Sequence, residues 1–334
     1  MDDKSTTESA TMKAAVCTKY GPPEVVAIAD RPKPIPKDDE ILIGIYASSV
    51  ASGDCQVRSE KKPLVYRPMF ALIFGIGKPR QPIFGTELSG KIEAVGKNVT
   101  SFAVGDSVFA MTGLKMGAHA EYIALPENGK VVRKPDNISY EQAASLSFGG
   151  TTALHFFRKA KLQKGQRILI YGASGAVGTS AVQIAKYFGA EVTAVCSGTN
   201  IGLVKSIGAD HATDYTKEDF RAMGEKYDVI FDAVGKIDKG SCKNVLAKGG
   251  RYITVNKGMA GERIEDLRLL GELAKSGRYT PVIDRVYPLG QIAEAHAYVE
   301  TGRKKGNVIV EIQKQGGKTP CLCYIFPGRA IQNT

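Results

Sequence analysis

The sequence has no tryptophan and only four histidines among its 334 residues. No apolar run approaches the roughly 18 residues of a membrane-spanning helix, which argues against a membrane protein. The six cysteines form no C-x-x-C pair, a pattern typical of reduced thiols rather than of a disulfide framework or a zinc cluster. The polar start MDDKSTTESATM lacks the features of a secretory signal. We therefore expect residues 1–11 to be a flexible leader and the protein to be cytoplasmic.

The charge of the chain is basic but dispersed. Lys and Arg number 45 against 34 Asp and Glu, which gives a net charge of +11. The basic clusters RKAK (158–161) and RKK (303–305) are shorter than the run of five or more that marks a nucleic-acid-binding tail. We therefore expect no nucleic acid partner, and a basic surface that suits a phosphorylated ligand.

Two segments with different patterns follow the leader. Residues 12 to about 135 alternate short β runs with Gly and Asn turns, as a small β-barrel does. From Ser139 onward, apolar strands such as RILIYG and EVTAVC alternate with helical stretches, which predicts a parallel, doubly wound α/β sheet. After about residue 280, the stretches PVIDRVYPL, GQIAEAHAYVET and GNVIVEI could rejoin the first segment, although periodicity alone does not show this.

Local signals refine this outline. Ser139 caps a predicted helix over SYEQAASLSFGGTTALHFFRKAKL, and a second helix is expected around SCKNVLA. The stretch SEKKPLVYRPMFALIFGIGKPRQP is interrupted by Pro and Gly, so we expect an irregular loop that lies over a cleft.

A glycine turn, ASGAVG, stands between RILIYG and the helix that follows it. Gly175 allows the backbone to approach a pyrophosphate, and Gly178 allows the helix to pack closely against the strand. The start of the helix offers N–H groups and a partial positive charge to phosphates. Because the turn lies in a strand–turn–helix–strand unit of about 30 residues, it predicts dinucleotide binding by Ser174, Gly175, Ala176 and Val177.

The residues that follow the second strand favour NADP over NAD. An NAD site usually places Asp or Glu at the end of this strand, where it binds the ribose 2′-hydroxyl. Here EVTAVC is followed by Ser197, and Lys205 lies on the next helix. Together with Tyr215, these neutral and basic side chains suit a 2′-phosphate. The alternative is that Lys205 is an ordinary solvated lysine.

Six stretches occur in one order: GTELSGKIEAVGKNVTSFAVGDSVFA, GAHAEYIALPE, GGTTAL, LQKGQRILIYGASGAVGTSAVQIAKYFGAEVTAVCS, KSIGADHATDYT and FDAVG. With these stretches the chain resembles the medium-chain dehydrogenase/reductase superfamily, and more narrowly its zinc-independent quinone oxidoreductase branch. The resemblance implies a GroES-like β-barrel catalytic domain of residues 12–138 and 280–334, and a Rossmann NADP-binding domain of residues 139–279. It also implies a cleft between the domains and a homodimer.

The resemblance further implies that Thr152 and Asn307 lie at the nicotinamide end of the cofactor. Otherwise Thr152 is a helix-packing hydroxyl, and Asn307 is a plain turn residue. Where zinc-dependent members of the superfamily bind their catalytic metal, this chain has Ala51, Thr86 and the segment 147–149. These residues cannot replace thiolate and imidazole ligands.

Without a Lewis acid, hydride transfer suits acceptors that are already electron-poor, such as quinones and α,β-unsaturated carbonyls. The sequence therefore predicts a zinc-independent, NADPH-dependent reductase of such acceptors. Two alternatives stay open: a metal-free alcohol/ketone or enoyl-thioester reductase, and a non-catalytic NADPH-binding protein of a crystallin-like or regulatory kind.

The substrate end departs from the quinone reductase pattern, which has Asn at Ala51 and often Tyr at Gln56. Tyr66 and Arg67 could supply hydrogen-bond donors instead, or be plain loop residues. We expect Asp54 to anchor a barrel loop and the histidines to be structural. No catalytic residue is assigned.

Overall fold

The computed structural model of the chain describes residues 10–59, 67–258 and 260–313. The N-terminal elements are β1 (Thr11–Cys17), β2 (Val26–Pro32), β3 (Glu40–Ser49), α1 (Ser52–Arg58), α2 (Arg67–Phe74), β4 (Glu87–Val95), β5 (Ser107–Met111), β6 (Tyr122–Pro126) and β7 (Val131–Arg133). The middle elements are α3 (Tyr140–Ala144), α4 (Ser147–Ala160), β8 (Arg167–Tyr171), α5 (Ala176–Tyr187), β9 (Glu191–Cys196), α6 (Ile201–Ser206), β10 (His211–Asp214), β11 (Tyr227–Asp232), β12 (Leu246–Thr254) and α7 (Ile264–Lys275). The C-terminal elements are β13 (Ile283–Pro288), α8 (Ile292–Glu300) and β14 (Asn307–Glu311).

Three regions named in the sequence analysis fall outside the described residues. They are most of the leader, Tyr66 and the tail 316–334. None of the described helices is both long and apolar enough to cross a membrane.

Strands from both ends of the chain form one seven-stranded sheet, in the order β13-β14-β3-β4-β5-β7 with β6 also paired to β3. β14 runs antiparallel to β3, and Ile309 lies opposite Ser49. The C-terminal segment therefore rejoins the N-terminal one. The limits of the two domains, 12–138 with 280–334 and 139–279, stay predictions.

The middle of the chain forms a five-stranded sheet that is parallel throughout, in the order β10-β9-β8-β11-β12. Residues of α4, α5 and α7 pack on this sheet in one hydrophobic core. The strand order reverses beside β8. Parallel sheets bind ligands outside the carboxyl ends of their strands at such a point. The glycine turn directly follows β8, so the fold places it there.

The opposite face of this sheet is covered by single 3-10 turns, Phe220–Ala222 and Lys243–Val245. The helix expected around SCKNVLA is therefore wrong. After β11 the carboxylate of Asp232 accepts backbone N–H groups from residues 234–237, which holds the chain in a tight turn.

The helix predicted from Ser139 is present but divided into α3 and α4. The Ser139 hydroxyl accepts the N–H of Gln142 at 3.2 Å, and the Gln142 side chain accepts the N–H of Ser139 at 2.9 Å, which confirms the cap. The division falls at Ser145, whose hydroxyl donates to the carbonyl of Glu141 at 2.7 Å. Such a bond competes with continuation of the helix.

The stretch 59–82, which was expected to be irregular, contains α2. Pro68 takes its second position, where the first turn of a helix needs no N–H donor. The apolar residues that follow continue the helix until Gly75, which adopts a positive φ of 108°. The expectation of a loop gave too much weight to proline and glycine at the two ends of a short helix.

Candidate active site

The glycine turn after β8 has one glycine that the packing requires and one that leaves room for a ligand. A Cβ at Gly178 would lie 2.2 Å from the carbonyl oxygen of Gly172, so no larger residue fits there. A Cβ at Gly175 would have no neighbour closer than 3.7 Å. α5 begins at Ala176, and the first N–H groups of a helix have no partner within the helix. The turn therefore fits the pyrophosphate of a dinucleotide.

The C-terminal segment closes over this turn. The N–H of Gly306 donates to the carbonyl of Ser174 at 2.8 Å, and Gly175 and Gly306 form a parallel bridge. Asn307 follows and is 4% exposed. Its backbone N–H and its side-chain amide both donate to the Val282 carbonyl, at 2.8 and 3.1 Å. Asn307 thus lies beside the turn with its amide directed to Val282, and its contact with nicotinamide stays a prediction.

Ser197 directly follows the second strand, β9, as the sequence indicates, and a residue that was not predicted, Asn200, links it to the turn. Nδ2 of Asn200 lies 3.1 Å from Ser174 Oγ and 3.0 Å from Ser197 Oγ. Asn200 is only 8% exposed. Its place after SGT, just before α6, was the available signal, because a polar residue there can reach back to the strand end.

The structure also brings an acid to this region. Asp214 ends β10 and lies opposite Cys196 in the parallel ladder. A Cβ at Gly198 would lie 2.2 Å from its carboxylate. Hydrogen bonds from Thr216 and from the Gly198 backbone lower the pKa of Asp214. Sequence reasoning looked for an acid on β9 alone, whereas parallel strands bring their carboxyl ends to one edge.

Tyr215 and Lys205 are the two other residues predicted to bind the 2′-phosphate. Tyr215 directly follows β10, and Lys205 lies on α6. The N–H of Tyr215 donates to the Cys196 carbonyl at 3.1 Å, and its half-exposed ring lies 6.1 Å from that of Tyr171. Lys205 is exposed on α6. Their contacts with a phosphate stay predictions.

A buried carboxylic acid, Glu87 of β4, links the seven-stranded sheet to the start of α4. Glu87 is 1% exposed and accepts hydrogen bonds from the Ser49 hydroxyl and, at 2.6 Å, from the N–H of Phe148. Burial raises the pKa of Glu87 to about 7, and these two hydrogen bonds oppose that shift. Thr152 lies one helical turn after Phe148 on α4 and is buried. Its place at the nicotinamide end stays a prediction.

Lys304 adds a positive charge, and the sequence of the basic run RKK (303–305) did not show that this lysine is buried. Its Nζ donates to the Gly306 carbonyl at 2.7 Å. Burial lowers the pKa of Lys304 to about 8, and Glu87, Asp284 and Cys55 oppose that shift. Because the pKa values of Glu87 and Lys304 both lie near neutrality, the net charge around these two residues depends on pH.

The positions that correspond to the metal ligands of zinc-dependent relatives hold side chains that do not fit zinc. Ala51 precedes α1, and Asp54 accepts the N–H groups of Ala51 and Gly85 at 2.8 and 3.1 Å, so it anchors this loop as expected. Among the described residues, the hydroxyls of Thr86 and Ser147 are buried without a hydrogen-bond partner. Within the same residues, no group of three His, Cys, Asp or Glu could hold a metal ion.

Cys55 and His296 lie together behind this site. Sγ of Cys55 is 3.4 Å from Nδ1 of His296. Burial raises the pKa of Cys55 to about 12 and lowers the pKa of His296 well below its ordinary value. Both groups are therefore neutral at pH 7, which agrees with the expected structural role of these residues.

A cavity of about 410 Å³ opens on the catalytic-domain side, with apolar residues of α1, α2 and the segment 114–116 in its wall. Lys115 and Arg80 add positive charge. Two residues before this segment, the N–H of Thr112 donates to the Thr86 carbonyl at 2.8 Å.

Comparisons with known proteins agree with this arrangement. A family model for the alcohol dehydrogenase GroES-like domain matches residues 37–136, and one for zinc-binding dehydrogenases matches residues 207–310. The chain is 34% identical to 2-methylene-furan-3-one reductase from Solanum lycopersicum. It is 32% identical to a chloroplastic NADPH-dependent alkenal/one oxidoreductase from Arabidopsis thaliana. Each alignment spans 319 residues, 90% of this chain and 79% of the relative.

The solved structure of the quinone oxidoreductase from Coxiella burnetii has a TM-score of 0.77 with this chain at 25% identity, and covers 91% of this chain and 100% of that one. The comparisons confirm the predicted fold class, a Rossmann doubly wound sheet with a GroES-like β-barrel domain. The chain therefore belongs to the medium-chain dehydrogenase/reductase superfamily, among relatives that are quinone and alkenal/one oxidoreductases.

Proposed function

We propose that this protein is an NADPH-dependent oxidoreductase that transfers hydride to a quinone or an α,β-unsaturated carbonyl compound without zinc. One observation carries the proposal. A glycine turn of the dinucleotide-binding type lies at the sheet's reversal point, and the positions of the metal ligands in zinc-dependent relatives hold Ala51, Thr86 and the segment 147–149. Family membership supports the nicotinamide cofactor, and the names of the relatives support the two acceptor classes.

The residues of the turn would hold the cofactor. The backbone of Gly175, Ala176 and Val177 would bind the pyrophosphate, and the Ser174 carbonyl already holds the C-terminal segment against the turn. Thr152 and Asn307 would lie at the nicotinamide end. When bound, the cofactor supplies the hydride.

The preference for NADPH would come from the end of β9. Ser197, Lys205 and Tyr215 would surround the 2′-phosphate with donors and one positive charge. The carboxylate of Asp214, beside Gly198, is a repulsive element in the same region. Thr216 donates two hydrogen bonds to Oδ1 of Asp214, which keep this carboxylate charged. We infer that the donors and the positive charge of Lys205 outweigh its repulsion.

At the acceptor end, the chain would offer hydrogen-bond donors but no suitable set of metal ligands. The buried hydroxyls of Thr86 and Ser147, the Lys304 ammonium and the Glu87 carboxyl are polar groups there, and donors aimed at a developing oxyanion lower its energy most when water is excluded. Such a site suits an acceptor that is already electron-poor. The cavity beside α1 and α2 would accept the apolar part of that acceptor.

The test is a panel of acceptors with purified protein, in which the oxidation of NADPH and of NADH is followed by absorbance. We expect turnover with quinones or enones, faster with NADPH than with NADH, and unchanged after dialysis against a chelator. Turnover only with simple ketones or thioesters would support the alternative of a metal-free alcohol/ketone or enoyl-thioester reductase. Tight NADPH binding with no turnover on any acceptor would support a non-catalytic role.

A homodimer and a cytoplasmic location belong to this proposal as predictions. Light scattering at several protein concentrations tests the first. Cell fractionation tests the cytoplasmic location. This test is needed because one relative is named as chloroplastic.

A further inference from the structure

The amide of Asn200 stands between two hydroxyls that belong to different parts of the cofactor site. Ser174 lies in the glycine turn after β8, and Ser197 directly follows β9. The nitrogen of Asn200 is within hydrogen-bond distance of both hydroxyl oxygens, at 3.1 and 3.0 Å. The two hydroxyls are therefore no more than two hydrogen-bond lengths apart.

The orientation of this amide follows from what each end of it contacts. Oδ1 of Asn200 is buried, and among the described residues it has no hydrogen-bond partner. Turning the amide over would bury both of its N–H donors without an acceptor. The present orientation leaves only one acceptor unpaired. Because each unpaired buried group has its own desolvation cost, the nitrogen is the atom that faces the two serines.

This arrangement decides what the serines can do. A hydroxyl has one donor and two acceptor positions. When Asn200 donates to Ser174 Oγ and Ser197 Oγ, each hydroxyl has accepted one hydrogen bond, and Ser174 still has its own O–H to donate. Ser197 Oγ also lies 3.4 Å from Thr199 Oγ1, and it keeps its O–H for a ligand when Thr199 is the donor of that contact. Phosphate oxygens accept hydrogen bonds and do not donate them, whereas a ribose 2′-hydroxyl of NADH gains most from an acceptor.

We propose that Asn200 is a positioning residue that turns Ser174 and Ser197 into hydrogen-bond donors toward the phosphates of NADPH. It thereby contributes to the choice between the 2′-phosphorylated and the unphosphorylated cofactor. The inference rests on the proposed preference for NADPH. It assigns that preference partly to a buried amide that is not required to touch the cofactor.

The experiment is a double-mutant cycle read by direct binding of each reduced cofactor, through nicotinamide fluorescence and without any acceptor. Asn200→Ala should weaken NADPH binding about tenfold, the size expected when hydrogen bonds to a charged group are lost, and should change NADH binding much less. In the Ser197→Ala background the effect of Asn200→Ala on NADPH should shrink, because one of its two targets is gone.

Asn200→Asp is the second variant. A carboxylate at this place would accept hydrogen bonds from both serine hydroxyls, so the serines would no longer donate outward. The ratio of NADH to NADPH affinity should then rise further than in Asn200→Ala. Asn244→Asp, which makes the same charge change on the exposed turn at 243–245, should leave the ratio unchanged.

The failures of the two proposals are distinguishable. Equal affinity of the wild-type protein for both cofactors would overturn the proposed NADPH preference. A wild-type preference for NADPH that is undiminished in Asn200→Ala, or an Asn200→Ala effect equal for both cofactors and unchanged by Ser197→Ala, would overturn the role of Asn200 alone. Melting temperatures of all variants show which of them remain folded.

Discussion

The proposed nucleotide end of the site is built mainly from backbone and small side chains, whereas the proposed acceptor end is built from buried ionisable and hydroxyl groups. At the first, a glycine turn and two serines lie within one strand–helix–strand unit. At the second, Glu87, Lys304 and Ser147 come from three distant parts of the chain. Substitutions that change side-chain size should therefore have their largest effect at the nucleotide end, and changes of pH should have theirs at the acceptor end.

Gly178 tests the nucleotide end with the largest expected effect. Gly178→Val places side-chain atoms against the Gly172 carbonyl, 2.2 Å from the position of a Cβ. We expect a loss of about 3 kcal/mol in the free energy of unfolding and no measurable binding of either cofactor. Gly202→Ala on α6 is the control, because a Cβ there has no neighbour within 4 Å. A melting curve that is the same for Gly178→Val and wild type would contradict the packing described for the turn.

Lys205 tests the source of the cofactor preference. Lys205→Glu should weaken NADPH binding about tenfold, as expected for loss of a charged hydrogen bond to phosphate, and should affect NADH little. Lys248→Glu, an equally exposed change on β12 at the other edge of the sheet, controls for net charge. If both affinities stay at their wild-type values in Lys205→Glu, the 2′-phosphate has been placed wrongly.

Glu87 tests the acceptor end through pH. Its pKa is about 7 in the folded protein, against an ordinary value of 4.5. Two charged groups affect this pKa: Asp54 raises it and Lys304 lowers it. Between these values the folded chain binds more protons than the unfolded chain, so stability falls as pH rises. Glu87→Gln removes this fall. The difference in unfolding free energy between wild type and variant should change by about 2 kcal/mol from pH 5 to pH 8. A difference independent of pH would show that Glu87 has an ordinary pKa.

Asp214 gives the smallest expected effect. Asp214→Asn removes a like charge from the phosphate region, so the dissociation constant of NADPH should fall by about twofold to threefold at low salt. NADH binding should not change. Weaker NADH binding in this variant would instead mean that Asp214 holds the ribose 2′-hydroxyl.

The difference between these two ends also explains what could be predicted from the sequence. The glycine turn, the parallel sheet and the Ser139 cap depend on residues close together in the chain, and they were predicted correctly. Asn200 and Asp214 were missed because their importance comes from which strand ends are neighbours. Glu87 and Lys304 were missed because their properties come from burial between segments far apart in sequence.

The central claim is that hydride goes to an electron-poor carbon without a metal. The most direct measurement uses NADPH deuterated at the transferable position, an enone as acceptor and protein dialysed against a chelator. We predict full activity and deuterium on the β-carbon of a saturated ketone product. Deuterium on the carbonyl carbon of an alcohol product, or activity that returns only when zinc is added, would contradict the account.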